Sequence, residues 1–201
     1  MKDNLPVVFF KNGDELTDWL ENNLDAPGVW VRIAKKGSGL VSITYQQAVD
    51  AGICYGWIDG LKKKYDEQTF VQRFTPRRPK SNWSKINKEK ALQFIREGKM
   101  KPAGMAAIEN AKKSGAWEKA YDSQTTIKIP EDLQKLLDEN KIAKEFFETL
   151  NSVNRYAILY RLQSARKPET HEKRLKQFIE MLNKREKIYK TNTYSDKSFD
   201  H

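Results

Sequence analysis

The apolar pattern changes character once along this chain, near Ser81, and that change limits the fold more than any other feature. Before it, short β-rich runs alternate with helical stripes; after it, every apolar repeat has helical spacing. Val7 to Phe10 predicts a short strand. Leu16, Trp19, Leu20 and Leu24 predict a helix capped by Asn12 or Asp14. Gly28 to Ile33 predicts a second strand ending in the loop Lys35-Lys-Gly-Ser-Gly39. Thr44 followed by Gln47 is a capping box, opening a helix whose stripe is Tyr45, Ala48, Val49 and Ile53. Tyr55 to Leu61 and Thr69 to Phe74 predict two strands joined by the polar stretch Lys62 to Gln68. The expected class is α+β: a small β-α-β-α-β-β domain over 1–80, followed by an all-helical region.

Helical stripes then follow one another. Ala91, Leu92, Phe94 and Ile95 lead to a stop at Gly98, and Pro102 opens a helix that ends near Gly115. Pro130 starts a helix carrying Leu133, Leu136 and Leu137, and Ile142, Phe146 and Leu150 recur at intervals of four. Two more amphipathic helices carry Tyr156, Leu159 and Tyr160, then Leu175, Phe178, Ile179 and Leu182. The helical domain is expected over 81–189. The polar stretch 190–201 is expected to be a disordered tail.

Several chemistries are disfavoured by what the chain carries. A single cysteine, Cys54, allows no internal disulfide, and its apolar neighbours predict a buried, inert thiol. His171 and His201 have no cysteine or histidine at ligand spacing, so no zinc site and no cofactor is expected. The four apolar residues Val7 to Phe10 are too few for a secretory signal, and no run reaches the length of a membrane span. The expectation is a cytoplasmic protein without a membrane partner. The oligomeric state is left open.

A net charge of +10 favours polyanions as partners, and it is concentrated. Lys62 to Lys88 holds nine basic residues against Asp66 and Glu67, which is seven of that net +10, with Phe70, Phe74 and Trp83 interleaved. Cations on a frame beside flat rings suit a phosphate-bearing ligand. The competing reading puts Phe70 and Phe74 into the core and leaves the cations merely solvated. Asp59 falls inside the apolar strand Gly56-Trp-Ile-Asp-Gly60, where a carboxylate needs a partner. A hairpin turn centred on Asp66 would place it opposite Arg73 as a cross-strand ion pair, with a ligand-binding carboxylate as the alternative. Lys35 to Gly39 lacks the spacing of a phosphate loop and predicts an ordinary turn. No serine or cysteine elbow is present, and Glu131 and Asp132 suit a helix start better than an acid/base pair.

Tyr55-Gly-Trp-Ile-Asp-Gly60 is followed by Gln72-Arg-Phe-Thr-Pro-Arg-Arg-Pro-Lys-Ser-Asn-Trp-Ser-Lys-Ile-Asn87, by Gly98-Lys-Met-Lys-Pro-Ala-Gly104 and by Ala165-Arg-Lys-Pro-Glu-Thr170. With these motifs the chain resembles the YdeI/OmpD-associated (bacteriocin-protection) family over about residues 5–188. Its first half is also distantly similar to the YdhG-like domain, for which a frataxin-like iron-chaperone role has been proposed. The resemblance implies an α+β N-terminal domain, a helical C-terminal one and labels of peptide resistance and porin association; it brings no catalytic residues.

The expected function is a non-enzymatic cytoplasmic binding protein, stress- or resistance-related. Its anionic ligand, a nucleic acid or a phosphorylated small molecule, would be held by Arg73, Arg77, Arg78, Lys80 and Lys85, with Trp57 or Trp83 as a flat contact. Charge reversal at Arg77 and Arg78 would then weaken binding without unfolding. The alternatives are iron handling by acidic residues, which the net positive charge opposes, and a small enzyme using Asp59 in a pocket.

Overall fold

The computed structural model describes residues 4–165 and 167–190, so all of the expected tail except Lys190 lies outside the described residues. The chain is a mixed α/β protein that divides into two compact units, one up to Ala120 and one from Tyr121.

In the first unit the elements run β1 (Val7–Phe9), α1 (Gly13–Asn22), β2 (Val29–Ala34), α2 (Tyr45–Cys54), β3 (Trp57–Lys64), β4 (Thr69–Pro76), α3 (Lys85–Arg96) and α4 (Pro102–Lys113). The strands form one sheet in the order β1-β2-β4-β3. β1 and β2 pair in parallel because α1 carries the chain back between them, and the other pairs are antiparallel. Local chemistry sets the helix starts. Asn12 caps α1, its side chain accepting from the Glu15 amide at 3.0 Å. At α2 the Gln47 amide donates to Thr44 Oγ1 at 3.2 Å, and the Thr44 amide donates to Gln47 Oε1 at 2.9 Å.

One sheet face carries Val29, Val31, Ile33, Phe74 and Trp57 into the core against α1 and α2. β3 is an edge strand, and its exposed Lys62, Lys63 and Lys64 follow a bulge between Asp59 and Lys62. Lysines and a bulge on an edge discourage pairing with another chain's strand, which accounts for part of the basic segment without any ligand.

The pattern change near Ser81 is a change of secondary structure, not of core. Trp83, Ala91, Ile108, Ala111 and Trp117 are buried in the same cluster as the sheet residues, so α3 and α4 complete the first unit and the division falls after Ala120, not after 80. Periodicity reports element type; only burial reports which elements share a core. The seam between α2 and α4 is tight. A Cβ on Gly104 would lie 2.2 Å from the Cys54 carbonyl oxygen, and one on Gly56 would lie 2.6 Å from that of Ala103.

A polar cluster fastens α1 to the same seam. Tyr55 donates its hydroxyl to Glu21 Oε1 at 2.6 Å, and Lys101 Nζ lies 2.8 Å from the same oxygen. Burial, then the Glu21 carboxylate, push the Tyr55 phenol from 10.0 up to about 12. Because that value is raised on folding, its stabilisation is complete below pH 10 and fades as pH climbs towards about 12. Tyr55→Phe should therefore remove one ionisation from the high-pH end of a tyrosinate absorbance titration. An unchanged curve there would mean that Tyr55 is not held in this way.

The second unit contains α5 (Glu131–Glu139), α6 (Lys141–Thr149), α7 (Ser152–Gln163) and α8 (Pro168–Asn183) around Leu133, Leu137, Phe147, Ile158, Leu162 and Leu182. His171 ties three of these helices together. Its Nδ1 lies 3.1 Å from the Leu162 carbonyl oxygen and its Nε2 lies 2.6 Å from Asp132 Oδ2, so it is a structural tie, not a ligand. Asn154, 1% exposed, is satisfied by the backbone of Tyr189 on both sides, at 2.8 and 3.2 Å.

Candidate anion-binding cleft

Where β4 runs out past the sheet, its last residues and the following turn form one wall of an open cleft. Arg73, Thr75, Arg77, Arg78 and Ser81 lie on that side, and Leu24 to Pro27, between α1 and β2, lie on the other. The cleft measures about 850 Å³, and among the described residues Asp25 is the only carboxylate residue lining it. The turn is held by its own backbone: the Arg78 amide donates to Ser81 Oγ at 2.9 Å, and the Ser81 amide donates to the Arg78 carbonyl at 2.9 Å.

The three arginines of the basic segment therefore meet, but they differ in role. Arg77 is built into the scaffold. Its guanidinium lies 3.7 Å from the Trp83 ring centroid, its Nε donates to the Trp57 carbonyl at 3.2 Å and its Nη1 donates to that of Asn82 at 3.0 Å. Arg78 is exposed, and among the described residues its guanidinium has no partner. Arg73 stands on β4 opposite Trp30, on the sheet face away from α1 and α2. Three cations with hydroxyls nearby suit phosphate or carboxylate oxygens, and arginine forks favour two-point contact with them.

The remaining predicted residues fall elsewhere. Trp57 and Trp83 are 3% and 1% exposed, so neither offers a flat contact to a ligand; their rings are large, and the core takes them. Lys80 lies in the exposed turn and Lys85 opens α3, and neither lines the cleft. Asp59 lies opposite Phe74, not Arg73, because the pairs Lys62–Gln72 and Lys64–Phe70 centre the turn on Glu67 instead of Asp66, a shift of two positions of which the bulge takes back only one. Its Oδ2 accepts from the Tyr45 hydroxyl at 2.7 Å.

Lys35 Nζ donates to the carbonyls of Asp66 and Glu67 at 2.9 and 3.0 Å, which fastens the glycine-rich turn to the hairpin instead of leaving it to cradle a phosphate. Cys54 is half-buried; desolvation above all pushes its thiol up to about 11, so it stays protonated and unreactive near neutral pH. Sequence reasoning missed the Leu24 to Pro27 wall. Its one signal was Pro27-Gly28, which marks the end of a connection and says nothing of what faces it.

Among the described residues no three of His, Cys, Asp and Glu come together as a metal site, and no helix is long and apolar enough to cross a membrane.

Residues 8–107 match a domain of unknown function, DUF8412, and residues 126–185 match the family described as Bacteriocin-protection, YdeI or OmpD-Associated. No curated protein and no solved structure matches the chain. The Tyr55 to Asn87 motifs thus fall within the domain of unknown function, and the YdeI/OmpD match is confined to the helical unit. The resemblance seen in the sequence holds at that level: residues 126–185 match the model of the Bacteriocin-protection, YdeI or OmpD-Associated family.

Proposed function

We propose that this is a non-enzymatic, cytoplasmic binding protein that takes a phosphorylated small molecule in the arginine-lined cleft of its first unit. The observation that carries the reading is the convergence of Arg73, Arg77 and Arg78 on one concavity with, among the described residues, a single lining carboxylate residue. Of the two anion classes expected from the sequence, the compact one fits this cleft better. The rings that would have stacked on bases, Trp57 and Trp83, are in the core. Arg77, fixed by two carbonyls and a ring, supplies a preorganised wall, and Arg78 supplies an exposed cation. The family description of residues 126–185 gives a physiological setting, resistance to bacteriocins, in which a bound anion would act as a signal or cargo.

Inorganic pyrophosphate serves as the test ligand. Isothermal titration at low salt should show binding that weakens roughly 10-fold or more in Arg78→Glu, the usual consequence of losing one charge-assisted contact and adding a repulsion. Absence of heat at low salt, or an affinity indifferent to Arg78→Glu, would contradict the reading.

A further inference from the structure

The cleft of the first unit carries both signs of charge, and they stay apart. Asp25 lines it together with Arg73, Arg77 and Arg78. Among the described residues, the Asp25 carboxylate accepts no hydrogen bond and pairs with no cation. Arg78, on the other wall, is likewise exposed.

Both walls are held by their backbones. Gly28 ends the connection that carries Asp25, and a Cβ there would lie 2.8 Å from the Phe74 carbonyl oxygen and 2.9 Å from Leu5 Cδ1 and from Thr75 Cγ2. The connection is thus seated directly on the end of β4. Its turn is closed by the Ala26 amide, which donates to the Asn23 carbonyl at 3.1 Å, and Asn23 Nδ2 donates to the Trp19 carbonyl at 2.8 Å. Much of the remaining lining is apolar. Leu24, Ala26 and Pro27 flank Asp25, and Ile58 lies opposite Thr75 on β3.

A bare polyanion would satisfy the arginines, but it would meet Asp25 as a like charge and gain nothing from the apolar lining. A volume of about 850 Å³ suits an organic molecule better than a lone phosphate. An ammonium on the same ligand would turn Asp25 from repulsive to attractive. We infer that the ligand of this cleft is a phosphomonoester of an amine. The arginine wall takes the phosphate, Asp25 takes the ammonium, and the carbon body lies on Leu24, Ala26 and Pro27. The inference rests on the cleft reading and names its ligand class, with Asp25 as the residue that sets specificity. A monoester, with a charge of about −1.5 to −2 at neutral pH, suits paired guanidiniums better than a singly charged diester.

The test is isothermal titration of the full chain at low salt and neutral pH. The probes are ω-aminoalkyl phosphates of about two to six carbons, each compared with the alkyl phosphate that has a methyl in place of the ammonium. At least one length should bind about 10-fold more tightly than its methyl counterpart, the usual worth of one charge-assisted contact. Asp25→Asn, isosteric and at an exposed turn, should abolish that preference while leaving the alkyl phosphates bound. Arg78→Glu should weaken both members of a pair alike and preserve their ratio. Pyrophosphate, which has no ammonium, should bind Asp25→Asn about threefold more tightly than the parent, because a repulsion is removed. The matching glycerol diester, which has the linkage of a lipid headgroup, should bind about 10-fold less tightly than the monoester. Three results would overturn the inference: no length preferred over its methyl counterpart, a preference that survives in Asp25→Asn, or a diester bound as tightly as the monoester. Failure of pyrophosphate to bind the parent would remove the cleft reading and the amine with it, whereas Arg78-dependent pyrophosphate binding without any preference for the ammonium would remove only the amine.

Discussion

Gly104→Ala should destabilise the first unit by on the order of 3 kcal/mol, at the upper end of what overpacking costs. The added methyl would meet the Cys54 carbonyl oxygen at 2.2 Å and Met100 Sδ at 2.5 Å. The flexible methionine can move aside, but the carbonyl cannot, because it ends α2 and accepts the Lys101 amide at 3.1 Å. Gly98→Ala is the matched control. Gly98 has a φ of 68° and nothing within 4 Å of its would-be Cβ, so it bears only the left-handed backbone cost of about 1–2 kcal/mol. All five tryptophans, Trp19, Trp30, Trp57, Trp83 and Trp117, lie in the first unit, so denaturant unfolding followed by tryptophan fluorescence reads this unit alone. Equal losses for the two substitutions would mean that α2 and α4 are not in such close contact.

The same readout should separate the two neighbouring arginines. Arg77→Glu removes a cation from above Trp83 and leaves the carbonyls of Trp57 and Asn82 facing a carboxylate, a loss on the order of 3 kcal/mol. Arg78→Glu, at an exposed turn, should stay within about 0.5 kcal/mol of the parent. Reversing both charges together, the natural experiment from sequence alone, would mix a folding defect with a binding defect. If Arg77→Glu unfolds no more readily than Arg78→Glu, the guanidinium is not part of the scaffold and the cleft wall is looser than described.

These paired cases also show what the sequence could and could not convey. The mixed α/β character was legible because strand and helix leave different periods, and the Thr44–Gln47 box was legible because capping is a local transaction between residues three apart. The burial of Trp83 beneath Arg77 was not, since a basic segment interleaved with rings has the same composition whether the rings face water or core. Asp59 illustrates a different limit. Its expected partner depended on counting residues back from the turn, and a turn centred one residue later, on Glu67, together with a bulge between Asp59 and Lys62, changes that count without leaving a mark in the residue types. The domain division near Ala120, likewise, depends on which core the helices join, which no single helix announces.

The cleft itself was half legible: its arginine wall was named from charge density, and its Leu24 to Pro27 wall was invisible because it lies some fifty residues away and carries no charge cluster. The most direct test of anion recognition there is an amide chemical-shift titration of the uniformly labelled full chain with inorganic pyrophosphate at low salt. Binding in the cleft predicts saturable shifts at the amides of Asp25, Ala26, Thr75, Arg78 and Ser81, on both walls together, and little change at the hairpin lysines Lys62 to Lys64. Shifts confined to those edge lysines, or uniformly weak and unsaturating changes across the basic segment, would contradict it and leave the arginines as scaffold.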